Sequence, residues 1–342
     1  IITCDWSSDV CSSDLVILDV DTGTDDAIAV MVAIQAPELE VVGLCSVHGN
    51  ADVAYTTINT MRAAFAAGGA DIPVYPGAAC PMVKGLYAQR RPLVEEPILA
   101  GKTVIDGVEV SINPNLLPLP DRPKKAEEKA AALFYVDFLR TAKKKVTLVL
   151  TGTMTNLALA LTIEPEITRS IEEIVIMGGG IQKRNITAAA EANFFKDPEA
   201  ASIVLNCGAP ITVVTLDATH SSSQTKAHEE KIRSIGTAAA VFTANDIHVR
   251  RESYNRLQPL ERKNTAPIHD ALCVAYLVNP SVVVRSEEAC CDVDCSDGIC
   301  EGALLWDTRY FHEKANVKLI LQADADILCD TLAEIFREGG VR

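Results

Sequence analysis

Short apolar, β-branched runs alternate along the chain with longer stretches of helical periodicity. The runs are apolar on both faces and end in Gly, Thr, Asp or Asn, which is typical of buried parallel strands. They cover residues 16–20, 41–46, 146–150, 174–177 and 211–216. Helical patterns lie between them at residues 26–35, 51–67, 126–142 and 156–163. This alternation predicts right-handed βαβ units.

Such units build an open, doubly wound α/β fold of the Rossmann-like type, with a mostly parallel, twisted sheet flanked by helices. A chain of 342 residues with 48% hydrophobic content can bury the core of one such domain, and we assign residues 16–342 to it. Ligands of these sheets bind beyond the carboxyl ends of the strands. The Pro-rich segment 73–123 is too long for a simple connection and is interpreted as an active-site flap or an insertion.

The first fifteen residues do not fit this pattern. The stretch DWSSDVCSSDL, residues 5–15, has neither the basic nor the apolar segment of a signal peptide. It resembles the translation of a sequencing-library adapter joined in frame near residue 16, and the alternative is a natural Ser- and Asp-rich extension. In either case residues 1–15 are left out of the fold prediction.

Composition and charge narrow the range of partners. The formal net charge is −15 and no Lys- or Arg-rich run is long enough to form a tail or patch, so neither nucleic acid nor an anionic membrane surface is expected as a partner. No apolar stretch reaches the roughly 18 residues of a membrane span. The eleven cysteines are an odd number and mostly scattered, which favours reduced thiols in a cytoplasmic protein. A late group at positions 290, 291, 295 and 300 lacks the spacing of a structural zinc site.

Four aspartates follow the first predicted strand within eight residues: Asp19, Asp21, Asp25 and Asp26. The start of a helix offsets part of their mutual repulsion. A hard divalent cation with oxygen ligands offsets more of it, so the cluster indicates a Ca²⁺ or Mg²⁺ site. The competing interpretation is one capping aspartate with the others solvated.

Known phosphate and calcium motifs do not fit these residues. An EF-hand loop beginning at Asp19 would need Gly at Thr24 and an acidic residue at Val30. A haloacid-dehalogenase-type phosphatase would need Thr or Ser at Gly23, and a Mg²⁺ phosphohydrolase would need Lys or Arg nearby to receive phosphate. The GGG at 178–180 lacks the GxGxxG pattern and is interpreted as a turn after a strand.

The segment ILDVDTGTDDAIAV resembles the DxDxGxDDA signature of the inosine-uridine-preferring nucleoside hydrolase family at every fixed position. Later segments are similar to further family motifs, in the same order. They are SVHGN (46–50), TGTMTNLALAL (151–161), IVIMGGGIQKRNITAAAEANFFKDPEAA (174–201) and APIHDALCVAYL (266–277). Thr153 replaces a family Pro and Ala192 a family Phe. The resemblance extends from about residue 16 to the end of the chain.

The resemblance implies a calcium-dependent ribonucleoside hydrolase. The implied Ca²⁺ ligands are the carboxylates of Asp21, Asp26 and Asp270 and the main-chain oxygen of Thr151. Other coordination positions would remain for water and two ribose hydroxyls. Asp21 would act as general base for attack of the Ca²⁺-bound water on the anomeric carbon, through an oxocarbenium-like transition state.

The same resemblance implies the residues that contact the substrate. Ribose hydroxyls would be bound by Asp25, Asn50, Asn185, Glu191 and Asn193. Met177 would pack beneath the sugar, His269 would contact or protonate the leaving base, and Asp19 would support the first loop from behind. Taken singly, the polar residues could be turn or cap residues and His269 a packed core histidine.

The predicted flap departs from the family pattern. Segment 99–114 keeps the DG pair at 106–107 but lacks the His that many members carry there. His248, Tyr254 and Arg256 are possible base contacts, although a solvated helical face is the favoured interpretation of each. The substrate could therefore be a common or a modified nucleoside. A non-catalytic nucleoside-binding protein is the alternative from another class, and a homodimer or homotetramer is implied in each case.

Overall fold

The computed structural model describes residues 14–87, 90, 102–105, 107–309 and 314–339. Its strands are β1 (Asp14–Val20), β2 (Leu39–Ser46), β3 (Val74–Tyr75), β4 (Lys102–Ile105), β5 (Val108–Ser111), β6 (Val146–Leu150), β7 (Ile171–Met177), β8 (Ile211–Val214), β9 (Val283–Ala289), β10 (Cys291–Val293), β11 (Leu304–Trp306) and β12 (Val317–Ala323). An eight-stranded sheet has the order β3-β2-β1-β6-β7-β8-β12-β9. Its pairings are parallel except for β12 with β9.

Helices cover both faces of this sheet. They are α1 (Thr24–Gln35), α2 (Val53–Ala66), α3 (Ala131–Thr141), α4 (Thr155–Ile163), α5 (Ala192–Lys196), α6 (Pro198–Leu205), α7 (Leu216–Ser221), α8 (Lys226–Arg233), α9 (Ala238–Leu257), α10 (Ala271–Val278) and α11 (Ala325–Gly339). Successive residues of a strand point to opposite faces, so Val16 and Leu18 pack against α1 and α11 while Ile17 packs against α3 and α4. A hydrophobic core thus lies on each face of the sheet, and the predicted doubly wound α/β fold is confirmed.

Several predicted boundaries shift by a few residues. The helix predicted from residue 126 begins at Ala131, because the N–H groups of Glu127 and Ala131 donate to the carbonyls of Val74 and Pro76 instead. The strand predicted over 211–216 ends at Val214. Strand β1 begins at Asp14, where it pairs with β2.

Parts of two predictions lie outside the described residues. Residues 1–13 of the adapter-like segment and position 106 of the flap are among them. Within the described chain, none of the helices combines the length and the apolar character that crossing a membrane requires. The described part of the flap contains the antiparallel pair β4–β5.

Leu148 tests the core on the α3 and α4 side of the sheet. Its side chain lies in the central strand β6 and is fully buried, so Leu148→Ala removes apolar contacts and leaves a cavity. We expect the free energy of unfolding to fall by about 2–5 kcal/mol. Leu133→Ala, on the half-exposed surface of α3, is the matched control and should cost under about 1 kcal/mol. Urea denaturation measures both, and equal losses would contradict this account of the core.

Candidate active site

The carboxyl ends of β1, β2, β6 and β7 meet at a cavity lined mainly by polar and charged side chains. Its lining residues are Asp25, Asn50, Asn113, Met177, Asn185, Glu191, Asn193, Arg250, Tyr254, His269 and Asp270. All the implied sugar contacts are in this set, together with His269 and one implied metal ligand. The fold therefore brings together residues that lie up to 245 positions apart, between Asp25 and Asp270.

Three buried carboxylates form a cluster at one side of the cavity. Asp25, Asp26 and Asp270 offer oxygen atoms that all lie within 4.8 Å of one another. Asp25 and Asp26 lie in the first turn of α1, and Asp270 is the N-cap residue of α10. Burial, reinforced by the charge of Asp25, raises the pKa of Asp26 to about 6 and that of Asp270 well above its usual range. Such crowded hard oxygen donors fit a divalent cation.

Asp21 lies beside this cluster and is held by the loop that follows β2. The main-chain N–H of Asn50 donates to Asp21 Oδ2 at 2.7 Å. The side-chain amide of Asn50 donates to Asp21 Oδ1 at 3.2 Å and to Asp26 Oδ2 at 3.1 Å. A Cβ at Gly49 would lie 1.8 Å from Asp21 Oδ2, so only glycine permits this approach. Asn50 thus bridges two carboxylates as well as lining the cavity.

Thr151 connects the end of β6 to the acidic cluster. Its hydroxyl donates to Asp26 Oδ1 at 2.7 Å, and its main-chain oxygen accepts from the side-chain amide of Asn193 at 2.7 Å. Asn193 also donates to the Met177 carbonyl at 3.1 Å. The carbonyl implied as a metal ligand is therefore at the site, with Asn193 as its partner.

Glu191 and Asn185 are ordered by main-chain N–H groups. The Glu191 carboxylate caps α5 by accepting from Asn193 N at 3.0 Å, and it accepts from Gly179 N at 3.0 Å. Asn185 Oδ1 accepts from the N–H of Ala192 at 3.0 Å. Gly179 has φ of 61°, so the glycine run forms the predicted turn after β7. These contacts fix both side chains before a ligand arrives.

His269 lines the cavity and lies between two hydroxyl groups. Its Nδ1 is 2.8 Å from Thr219 Oγ1, and its Nε2 is 3.2 Å from the Tyr254 hydroxyl. Burial lowers the pKa of His269 to about 3, so its imidazole is neutral. Tyr254 is only 5% exposed, which makes the solvated-face interpretation wrong for this residue. His248 and Arg256 do not line the cavity in the described residues; they pair with acidic residues on α8 and α9.

Sequence reasoning missed Asn113 and Arg250. Asn113 Oδ1 accepts from the main-chain N–H of Thr24 at 2.9 Å and from its hydroxyl at 3.0 Å. Asn113 belongs to the predicted flap, so this part of the flap does form a wall of the cavity. Arg250 lies 2.6 Å from Asp25 Oδ1. The stretch HVRRESY in α9 resembles an exposed helical face, and no local signal marks Arg250 as buried.

Asp19 lies behind the cavity lining. Its carboxylate accepts from the side-chain amide of Asn156 at 2.9 Å and from the Tyr135 hydroxyl at 3.1 Å. Burial raises its pKa to about 7. Asp19 therefore connects the end of β1 to α3 and α4, a position consistent with the supporting role that the resemblance implies.

The family model described as inosine-uridine preferring nucleoside hydrolase matches residues 16–330. The chain belongs to this family. It is 32% identical over 296 residues to the inosine-uridine preferring nucleoside hydrolase of Leishmania major, covering 86% of this chain and 88% of that protein. It is 34% identical over 334 residues to the pyrimidine-specific ribonucleoside hydrolase RihA of Enterobacter sp. (strain 638), covering 96% of this chain and 99% of that protein.

Solved structures agree with this membership. The purine-preferring ribonucleoside hydrolase from Gardnerella vaginalis aligns with a TM-score of 0.81 at 29% identity, covering 96% of this chain and all of that chain (100%). Nucleoside hydrolases are N-glycosyl hydrolases, so the chain is an enzyme of that class. The fold of this nucleoside hydrolase and its family are thus both as the sequence predicts.

His48, in the loop after β2, makes the free energy of unfolding depend on pH. Its Nε2 lies 3.1 Å from Thr155 Oγ1, and burial, together with the Lys196 charge, lowers its pKa from the usual 6.5 to about 4. His48 of the unfolded chain takes up a proton as the pH falls through 6.5, whereas His48 of the folded protein does so only near pH 4. The stabilising contribution of neutral His48 is therefore complete above pH 6.5 and is lost as the pH falls towards 4.

We expect this residue to account for about 2 kcal/mol of stability lost between pH 7.5 and pH 5.0. His48→Gln should reduce the pH dependence of the unfolding free energy by that amount, measured by urea denaturation at the two pH values. His248→Gln, on the partly exposed face of α9, is the control. The same pH dependence in His48→Gln and the wild type would contradict the assignment.

Proposed function

We propose that this protein hydrolyses the N-glycosidic bond of ribonucleosides to ribose and the free base. The observation that carries the proposal is a cluster of three buried carboxylates in one cavity with side chains suited to sugar hydroxyls. Asn and Glu side chains match hydroxyl groups in several donor and acceptor patterns. Membership of the nucleoside hydrolase family supports the same reaction. Free thiols at all nine cysteines of the described residues support a cytoplasmic location.

The donor set fits Ca²⁺, and we propose Asp21, Asp26, Asp270 and the Thr151 main-chain oxygen as its ligands. All three side chains are buried carboxylates at the same edge of the sheet, and Thr151 contacts Asp26 directly. A bound Ca²⁺ ion would compensate the carboxylate charge, accept two ribose hydroxyls and acidify a water molecule.

The chain's own residues would then act on the sugar. Asp21 is proposed as general base because the Asn50 amide groups fix its carboxylate at the cluster, where it can accept the proton of the attacking water. Asp25, Asn50, Asn185, Glu191 and Asn193 are proposed to bind sugar hydroxyls, with Met177 packed beneath the ring. The anionic wall would stabilise the positive charge that develops on the ribosyl ring.

The leaving base would face His269 and Tyr254. The two side chains are within hydrogen-bonding distance and both line the cavity. We propose that His269, with Tyr254 as its hydrogen-bonding partner, contacts the departing nitrogen of the base through a hydrogen bond. This arrangement supplies a leaving-group contact that does not depend on a histidine in the flap.

A substrate panel tests the proposed reaction. Ribose release from inosine, adenosine, guanosine, uridine and cytidine is measured with added Ca²⁺ and with chelator. We expect turnover of at least one nucleoside with Ca²⁺ and loss of that activity with chelator. No turnover would contradict the reaction on common nucleosides, and binding without turnover would indicate the non-catalytic alternative. Activity that persists after chelation would contradict the metal.

Asp21→Ala tests the general base. Loss of general base catalysis typically costs about 10²–10⁴-fold in rate. We expect Asp21→Ala to lower kcat by at least about 10²-fold while the protein remains folded. Asp52→Ala is the matched control. Asp52 is an exposed aspartate at the end of the loop after β2, the loop whose Asn50 holds Asp21. Circular dichroism and Tm confirm folding. A decrease of less than about tenfold would assign water activation to another residue.

A further inference from the structure

Arg250 is a buried cation that the proposed reaction does not use. Its side chain is only 2% exposed, although it lines the cavity from the middle of α9. Nη2 lies 2.6 Å from Asp25 Oδ1 and donates to Thr24 Oγ1 at 2.8 Å. Nε donates to Asp246 Oδ2 at 2.8 Å. One guanidinium therefore joins α9 to the first turn of α1 through Asp25 and Thr24, while Asp246 holds it from α9 itself.

The two carboxylates have different positions relative to the cavity. Asp246 is one helical turn before Arg250 on α9 and does not line the cavity, so it orients the guanidinium from behind. Asp25 lines the cavity and pairs with a different nitrogen of the guanidinium, Nη2. The planar fork of arginine fixes its partners in direction as well as distance. The orientation of the Asp25 carboxylate is thus set by residues of α9, a helix far from Asp25 in sequence but in contact with it.

We propose that the Asp246–Arg250 pair is a positioning element that fixes Asp25 against the sugar and thereby sets selectivity for the sugar hydroxyl that Asp25 contacts. The proposal rests on the proposed function, in which Asp25 binds a ribose hydroxyl. Arg250 holds Oδ1 of Asp25, so Oδ2 is the oxygen presented to the hydroxyl. Two carboxylates already compensate the guanidinium charge, which makes Arg250 a poor receptor for an anionic substrate.

Hydroxyl selectivity separates a positioning role from a structural one. The ratio of kcat/KM for a ribonucleoside to kcat/KM for its 2′-, 3′- and 5′-deoxy analogues is measured, using the nucleoside that the panel identifies. Asp25→Ala first identifies the analogue whose ratio depends on Asp25. Arg250→Met is then measured with the same substrates. Arg251→Met is the matched control, because the adjacent Arg251 is also buried but pairs with Glu229 away from the cavity.

We expect Arg250→Met to reduce the Asp25-dependent ratio by about tenfold or more, since a misplaced polar group loses discrimination for the hydroxyl it binds. The other two ratios, and all ratios in Arg251→Met, should change by less than about twofold. Adding Arg250→Met to Asp25→Ala should leave the ratio as in Asp25→Ala alone, because both changes act on one contact.

A second variant guards against misfolding, because Arg250→Met leaves two buried carboxylates without their cation. Asp246→Leu/Arg250→Met removes the pair together, which buried ion pairs often tolerate, and should give the same loss of selectivity. Equal losses of kcat/KM on all analogues, or multiplicative effects with Asp25→Ala, would overturn the proposal. Reduced Ca²⁺ affinity by calorimetry with unchanged selectivity would overturn it too.

The proposed function can fail separately. If the wild-type enzyme releases no ribose from any nucleoside, that result contradicts the reaction itself. Calorimetric binding of ribose and of 2-, 3- and 5-deoxyribose to the same variants then tests the positioning role. The same pattern of lost discrimination in binding would support it, and unchanged discrimination in Arg250→Met would overturn it.

Discussion

The crowding of buried carboxylates at one edge of the sheet is the constraint on which the rest of the site depends. Asp21, Asp26 and Asp270 are almost completely buried, and each has its pKa raised by burial and by neighbouring negative charge. In the described part of the chain none of the three forms an ion pair. Neutral donors from separate segments surround them instead, including the amide of Asn50 and the hydroxyl of Thr151. These hydrogen bonds orient the carboxylates without cancelling their charge, which leaves that task to a cation.

The sheet order explains why this crowding occurs after the first strand. β1 lies between β2 and β6, so the loops that follow β1 and its two neighbours diverge around a single point. In open α/β sheets, ligand sites form where the winding direction reverses in this way. The loop after β2 supplies Asn50 and the loop after β6 supplies Thr151, both in contact with Asp26. The topology thus explains both the place of the site and the segments that build it.

The fold follows from local sequence signals, and the family resemblance names most of the residues that line the cavity. Strands with buried runs, and polar residues placed where those runs end, are visible without a structure because parallel strands present their carboxyl ends at one edge. Arg250, Asp246 and Asn113 were not predictable in this way. Thr24 and Arg250 are 226 positions apart, and the helix carrying Arg250 mixes charged and apolar residues without a clear face. The burial of Arg250 and Asp246 is decided by packing between α9 and α1, and Asn113 reaches the site through its contact with Thr24; local pattern encodes neither.

Two kinds of carboxylate therefore coexist within a few ångströms. Asp25 shares the oxygen cluster with Asp26 and Asp270, yet among the residues that the structure describes it is the one of the three that pairs with a cation of the protein itself. A permanent guanidinium partner fixes the Asp25 carboxylate in direction whether or not another ion is present, which suits the hydroxyl contact proposed for it. Asp26 and Asp270 form no ion pair in the described part of the chain, so a bound cation would compensate their charge. Among the described residues Arg250 forms an ion pair with Asp25 but not with Asp21, Asp26 or Asp270, so one acidic surface holds a carboxylate with a fixed protein partner beside carboxylates whose charge is left for a cation.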